Sequence, residues 1–434
     1  MPDHANRRDF LRASGALALT MGAVGAAQAA APEKASTPIG RRDPDPEAKD
    51  QPPPKPAKVD PLVVGVMGTN GRGTELASEF ATQPGSVVRY VCDVDANNAA
   101  RCAKAVKERQ EVDPRVVTDF RRILDDKSVD ALVIAAPDHW HAIAAILACK
   151  AGKHVYVEKP ITTTLAEADD VVAQADAAGL LLGSAPDTFL GSAAQTARVA
   201  LDDGAIGEPI GVAAFITSNR VETWHPDPTF LFQPGGGPVA DLGPYYLTAM
   251  VNLFGPLASV VARSRIGTPT LPVTSPDRRV DSVTVTVPTH VSAALQFSSG
   301  VVGTLLASFD VWDHHLPRIE VYGTEGTLGL PDPNGYDGDV LLKRRTDDGW
   351  RGLPPVIPPF AEPGTKDQFL RGPGVADLVA ALGGAPQRAG APLACHVLEA
   401  IEAIETSGRT GESVRLSTLA ARPAPVQVAA GHER

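Results

Sequence analysis

The sequence predicts an α/β protein in which a doubly wound parallel sheet is followed by an α+β domain with helices grouped on one side of its sheet. Three observations predict it. Between residues 62 and 178, short continuous apolar runs alternate with longer helical patterns, as expected of strands covered on both faces by crossover helices. The first apolar run opens into a glycine-rich turn, Gly65-Val66-Met67-Gly68-Thr69-Asn70-Gly71-Arg72-Gly73. Beyond residue 201 the alternation gives way to a succession of strand-like runs.

Residues 1–30 precede the fold and read as an address. Asn6-Arg7-Arg8-Asp9-Phe10-Leu11-Arg12 is a twin-arginine export pattern, followed by a weakly apolar stretch over 13–27 and a cleavage-like Ala27-Gln28-Ala29. A transmembrane anchor is the alternative, but the apolar run falls short of the ~20 residues a span needs. The expectation is a signal peptide, a periplasmic or otherwise exported protein, and no membrane association after its removal. Residues 31–60 are Pro-rich and charged, with Gln51-Pro52-Pro53-Pro54-Lys55-Pro56 at their centre. Such a segment cannot bury enough apolar surface to fold alone, and it reads as a linker or as an arm along a neighbouring subunit.

Residues 61–185 carry the alternating pattern. Strands are expected at 62–67, 87–92, 116–117, 131–135 and 155–157, and helices at 75–81, 97–109, 119–124, 143–151 and 165–178. This is a Rossmann-type, nucleotide-binding domain. Against the G-x-G-x-x-G fingerprint, Gly68 and Gly73 match, while Asn70 takes the second glycine position with Gly71 and Arg72 beside it. Asn follows Gly in tolerating a left-handed backbone, so the turn is expected to survive with Asn70 in it. Asp93 ends the second strand, where a carboxylate accepts hydrogen bonds from the adenosine ribose and repels a 2′-phosphate. NAD is therefore favoured over NADP. The plainer alternative for Asp93 is a strand-end turn residue.

Two further strand ends face the same carboxyl edge. The fourth runs into Ala135-Ala136-Pro137-Asp138-His139-Trp140-His141, where small residues and a Pro turn let a nicotinamide nucleotide lie against the sheet. Pro137, His139 and His141 are candidate cofactor contacts and Trp140 a candidate sugar contact. At least one of these rings is expected only to pack or cap the helix, and the two histidines are too close in sequence to argue a metal on their own. The fifth strand delivers Glu158 and Lys159, in His154-Val155-Tyr156-Val157-Glu158-Lys159-Pro160, to the bound cofactor.

In residues 186–420 a helix is expected at 190–201, strands at 211–218, 280–289, 292–297, 301–309 and 318–322, and an elaborated loop at 331–363. The stretch 371–405, helical at 394–404, is expected to pack back against the first domain, with 421–434 as a tail. Composition fits an ordinary globular enzyme: 434 residues, 43% hydrophobic and 21% charged. The formal charge is −11, and loss of the signal leaves about −12, which repels phosphate backbones and argues against a nucleic-acid partner. Cys92, Cys102, Cys149 and Cys395 show no metal spacing and read chiefly as small buried hydrophobes.

From about residue 62 to 416 the chain resembles the glucose-fructose oxidoreductase, inositol dehydrogenase and rhizopine catabolism (Gfo/Idh/MocA) oxidoreductases. The carriers are the glycine turn, Pro137-Asp138-His139-Trp140-His141, Ala151-Gly152-Lys153-His154-Val155-Tyr156-Val157-Glu158-Lys159-Pro160, Gly235-Gly236-Gly237-Pro238 with Asp241-Leu242-Gly243-Pro244-Tyr245, and Tyr322-Gly323-Thr324-Glu325-Gly326. The resemblance implies an open, mainly antiparallel C-terminal sheet that forms the substrate wall and an oligomer interface. It also implies hydride transfer between a nicotinamide cofactor and a hydroxyl-bearing carbon of a small carbohydrate or cyclitol, in a homo-oligomer. It gives Lys159 the task of holding the reacting hydroxyl and the cofactor ribose.

Asp241 and Tyr245, four apart, would share one face of a helix. Many relatives carry His at the second of these positions. Here it is Tyr245, followed by Tyr246, and a phenol of ordinary pKa near ~10 needs a neighbouring cation to act as a base. His225, in Trp224-His225-Pro226, is the rival base, while Trp224 and Tyr246 are candidate substrate contacts. A merely packed Tyr245 and a loop-structural His225 are the plainer alternatives. A glycosidase using transient oxidation and elimination, and a noncatalytic nucleotide-binding protein, remain alternative functions.

Overall fold

The computed structural model describes residues 61–218, 220–360 and 372–426. The export pattern at 1–30, the Pro-rich arm at 31–60 and the end of the tail lie outside the described residues.

The first domain follows the expected alternation: β1 (Leu62–Met67), α1 (Arg72–Thr82), β2 (Ser86–Cys92), α2 (Ala96–Lys107), β3 (Arg115–Val117), α3 (Arg121–Asp125), β4 (Ala131–Ile134), α4 (His141–Lys150), β5 (His154–Val157), α5 (Leu165–Ala178) and β6 (Leu182–Ser184). The strands form one parallel sheet in the order β3-β2-β1-β4-β5-β6. Every residue of β4 and β5 is buried, which is why these strands read as unbroken apolar runs. The chain reverses direction across the sheet between β1 and β4, the switch point at which such sheets open a crevice for a ligand.

The second domain comprises α6 (Ser192–Asp202), β7 (Pro209–Thr217), α7 (Pro238–Phe254), β8 (Leu257–Arg265), β9 (Thr270–Pro272), β10 (Ser282–Thr284), β11 (His290–Phe297), β12 (Val302–Ser308), β13 (Ile319–Gly323), β14 (Gly326–Leu330), β15 (Leu341–Arg344) and β16 (Arg351–Gly352). After these come α8 (Pro373–Leu382), α9 (Ala391–Thr410) and β17 (Val414–Arg415). Nine strands form a mixed sheet, β16-β15-β14-β13-β7-β12-β11-β8-β17, in which all pairs are antiparallel except β7 with β12. That parallel pair aligns Thr217 with Ser308, so the loops after both strands leave the sheet side by side. Helices α6, α7 and α9 cover one face and share a continuous apolar core with it.

Two expectations change. The strand expected at 280–289 shrinks to β10, paired with β9 in a separate small sheet. Beyond Thr284 the amides of Val285 and Thr286 turn to Pro269 and Phe232 carbonyls, and Pro288 has no amide to offer a ladder. The loop expected at 331–363 contains β15 and β16, which extend the sheet at its edge. The C-terminal stretch does return to the first domain. Val375, Leu378 and Leu382 of α8 pack among Leu62, Val64 and Phe80, and Ala391, Cys395 and Leu398 of α9 pack with residues of α4 and α5. Glu402 on α9 also accepts the first amide of α5, from Leu165, at 2.9 Å. All four cysteines are buried free thiols, and burial pushes Cys92 and Cys395 up to about 12 and Cys102 and Cys149 up to about 11.

Candidate active site

Two cavities adjoin at the carboxyl edge of the parallel sheet, and both are lined by Ala135 and Ala136 at the end of β4. The first, of about 760 Å³, lies over the glycine turn and is lined by Gly68, Asn70, Asp93, Asn98, Pro137 and Trp140 among others. The second, of about 490 Å³, lies between the two domains and holds Lys159, Asp241 and Tyr245.

The glycine turn is built for close approach. A Cβ on Gly73 would lie 1.6 Å from the Gly68 carbonyl oxygen, and one on Gly68 would meet the Ala135 backbone at 2.6 Å. The left-handed backbone falls on Gly68 (φ 80) and Gly71 (φ 57), whereas Asn70 was expected to adopt it. Gly71 carries the bend and frees Asn70 to accept a hydrogen bond from Arg101 at 3.1 Å. Asp93 sits at the end of β2 as expected. One carboxylate oxygen accepts the Thr69 amide at 2.8 Å and the Thr69 hydroxyl at 3.3 Å, and the other accepts the Asp95 amide at 2.9 Å. It therefore fastens the turn as well as facing the cavity. A glycine-rich turn against a helix N-terminus, with a carboxylate at the next strand end, fits a dinucleotide: Gly68 to Gly73 for its pyrophosphate and Asp93 for its adenosine ribose.

In the second cavity Lys159 projects from the turn after β5, next to a cis Lys159–Pro160 peptide. Its ammonium donates to the Asp241 carbonyl at 2.9 Å and to the Asp241 carboxylate at 3.2 Å, and lies 5.6 Å from the Tyr245 ring centroid. The partner is thus Asp241 on α7; Glu158, the neighbour in sequence, uses its carboxylate to accept the Lys159 amide at 3.1 Å. Burial works against the Lys159 charge, but Tyr245, Asp241 and Glu158 outweigh it, and its pKa lies above the ordinary lysine value. Those neighbours favour the ammonium form, which suits a group that holds an oxygen. Asp241 and Tyr245 do share one face of α7, which starts at Pro238 behind a positive-φ Gly237.

Several expected residues take other places. Arg72 lines the second cavity, paired with Glu75 and 3.8 Å from Glu158, and is absent from the lining of the first. His141 borders the second cavity but is 1% exposed, with Nδ1 2.7 Å from the Pro160 carbonyl and Nε2 2.9 Å from the Ala136 carbonyl, so it braces the β4 turn against the Lys159 turn. His139 is exposed and lines neither cavity. Trp140, expected at the sugar, lies instead in the first cavity, edge-on to Phe120. Tyr246, also expected at the substrate, is 2% exposed in the apolar core, because one step along α7 turns it about 100° from Tyr245. Burial, with Asp332 nearby, drives the Tyr246 pKa upward.

His225 does not line the cavity, and its Nδ1 accepts the Asp227 amide at 3.1 Å. Trp224 does line it and is 63% exposed. The loop 218–234, where the sequence reading places specificity residues, contributes Ser218, while Asp138, Phe309 and Asn334, which also face the cavity, were missed. Ser218 and Phe309 directly follow β7 and β12, so their location at strand ends was the available signal.

The fold thus joins a Rossmann domain with a nucleotide-sized cavity to a second domain that closes a neighbouring cavity around Lys159, Asp241 and Tyr245. Residues 62–185 match the model of the oxidoreductase family NAD-binding Rossmann fold, and residues 194–329 match that of the GFO/IDH/MocA C-terminal domain. Together these take in more than half of the chain, and the chain belongs to the Gfo/Idh/MocA family. A glycosyl hydrolase family 109 protein of Saccharopolyspora erythraea is 35% identical over 113 residues, 25% of either chain. An alpha-N-acetylgalactosaminidase of Shewanella oneidensis is 25% identical over 182 residues, 39% of this chain and 37% of that one. The chain thus spans well under half the length of these curated relatives. Among solved structures, an NAD binding oxidoreductase from Klebsiella pneumoniae superposes with a TM-score of 0.70 at 24% identity, covering 82% of this chain and 99% of that one. Levoglucosan dehydrogenase in complex with NADH gives 0.69 at 21% identity, covering 82% and 100%. These two likenesses establish the fold.

Proposed function

We propose that the protein is an exported oxidoreductase that moves a hydride between NAD and a hydroxyl-bearing carbon of a sugar, cyclitol or sugar derivative. The observation that carries this reading is the Lys159–Asp241 pair beside Tyr245, in a cleft that shares Ala135 and Ala136 with the nucleotide cavity. When bound, the nicotinamide supplies a two-electron hydride acceptor. Lys159 holds the substrate oxygen and stabilises the negative charge that develops there. Asp241 fixes the lysine, having tied two of its three protons to one helix turn. Tyr245 moves the hydroxyl proton, favoured over His225 because it faces the cleft and His225 does not. The Arg7-Arg8 pattern supports export, and the sheet face that no helix among the described residues covers, with Val261, Val302 and Leu341 each more than a third exposed, supports a homo-oligomer.

The test is mass spectrometry of nucleotide released from the purified mature protein, followed by a stereochemically broad sugar panel monitored for NADH. Bound or stabilising NAD, with sugar turnover that Lys159→Ala reduces, is the expected result. No nucleotide bound, no thermal stabilisation by any nicotinamide form and no turnover would refute the reading. A second reading, glycoside cleavage through transient oxidation and elimination, is supported by the names of the relatives matched over part of the chain. NAD-dependent release of a chromogenic leaving group without net NADH would select it.

A further inference from the structure

We infer that the cleft continues outward into a second carbohydrate position formed by Trp224, Trp312 and Arg220. The substrate is then a glycoside or oligosaccharide whose second ring rests there. This builds on the sugar reading above.

Trp224 lines the cleft, yet its ring is 63% exposed and meets His225 at 5.7 Å, which in turn meets Phe230 at 5.4 Å. Phe230 is itself 60% exposed. These rings pack edge to face in a row that begins at the cleft and ends in solvent, leaving the exposed Trp224 ring at its inner end. Trp312 is 72% exposed, and the Arg220 guanidinium carbon lies 4.2 Å from its ring centroid. The chain path ties this pair to the same mouth. Arg220 stands between the cleft-lining Ser218 and Val221, and Trp312 follows three residues after the cleft-lining Phe309.

Arg220 is held there at a cost. It is the one non-glycine residue with positive φ among the described residues (φ 60), and its Nε lies 2.9 Å from the carboxylate of Glu222, a residue 2% exposed. A left-handed backbone and a buried carboxylate thus fix a guanidinium against a tryptophan that adds nothing to the core. Exposed aromatic faces next to fixed polar groups match a pyranose, which presents C–H faces and a rim of hydroxyls. Continuity with the cleft makes the occupant the far ring of the substrate.

The test uses the mature, NAD-loaded protein and matched probes: glucose with cellobiose, galactose with lactose, N-acetylglucosamine with its β-1,4 dimer. Binding is read by intrinsic tryptophan fluorescence and turnover by kcat/KM. At least one disaccharide is expected to bind about tenfold more tightly than its monosaccharide. Trp312→Ala should collapse that ratio towards one, while Trp350→Ala, a substitution of an exposed tryptophan between β15 and β16, should preserve it. The inference is overturned if no disaccharide outbinds its monosaccharide, or if the ratio survives Trp312→Ala. It is also overturned if that substitution alters subunit association in sedimentation with the ratio intact. Monosaccharide turnover without a disaccharide advantage counts against the outer position alone, whereas loss of NAD binding and of all turnover counts against the oxidoreductase reading.

Discussion

Replacing Asp93 by alanine should weaken the protein before any nucleotide is added. Thr69 is fully buried, and both its amide and its hydroxyl donate to the Asp93 carboxylate. Removing that acceptor orphans a buried donor, which costs about 2 kcal/mol when the lost partner was charged. The Asp95 amide, the third donor, is exposed and is taken over by water at little cost. At a few degrees per kcal/mol for a large domain, the nucleotide-free melting temperature should fall by about 5 °C. Asp93→Asn keeps an oxygen for Thr69 and should recover most of that fall, while still losing the charge that faces the ribose. Differential scanning calorimetry of the three proteins, with and without saturating NAD, separates the two roles. The reasoning is refuted if nucleotide-free Asp93→Ala melts with the wild type, since the carboxylate would then contribute nothing to the turn.

Gly73→Ala should abolish stabilisation by NAD in a thermal-shift titration, because its Cβ would lie 1.6 Å from the Gly68 oxygen. Gly71→Ala meets no atom within 4 Å and should cost about 2–3 kcal/mol, for its backbone (φ 57, ψ −106) lies outside the left-handed helical well and suits glycine alone. In steady-state assays on the best sugar of the panel, Tyr245→Phe should lower kcat about 100-fold with NAD affinity intact, and His225→Gln should change it less than about threefold. His154 and His396 accept the Leu181 and Leu257 amides, and burial holds both pKa values below the usual 6.5. The unfolded chain therefore takes up protons first as pH falls. Their contribution is present above 6.5 and is lost progressively as pH falls below it. Melting curves from pH 8 to 5 should show a steeper acid decline for the wild type than for His396→Gln, and parallel curves would contradict the assignment.

Much of the nucleotide half was legible because its signals are local. Unbroken apolar runs mark β1, β4 and β5, and the spacing of Gly68, Gly73 and Asp93 needs only the chain between them. The i, i+4 spacing of Asp241 and Tyr245 likewise placed both on one face of α7. What escaped depends on partners far away in sequence. Asn334 reaches the cleft because the neighbouring Tyr336 hydroxyl is bonded to the buried Asp187 carboxylate, 149 residues earlier. Trp140 turns towards the nucleotide cavity through the short helical turn Asp138–Trp140, whose direction no side-chain pattern reveals. The strand β15 reads as loop until β14 is there to pair with it.

The return of α8 and α9 to the parallel sheet carries a consequence for biosynthesis. Val375, Leu378 and Leu382 complete one side of the nucleotide domain, and Ala391, Cys395 and Leu398 the other, so a nascent chain that has emerged only as far as β6 leaves part of the core on each side uncovered. N-terminal domains ordinarily fold first as the ribosome delivers them. Here the apolar cover of the first domain is completed by residues about two hundred positions further along the chain, so its full stability is reached only once α8 and α9 have docked.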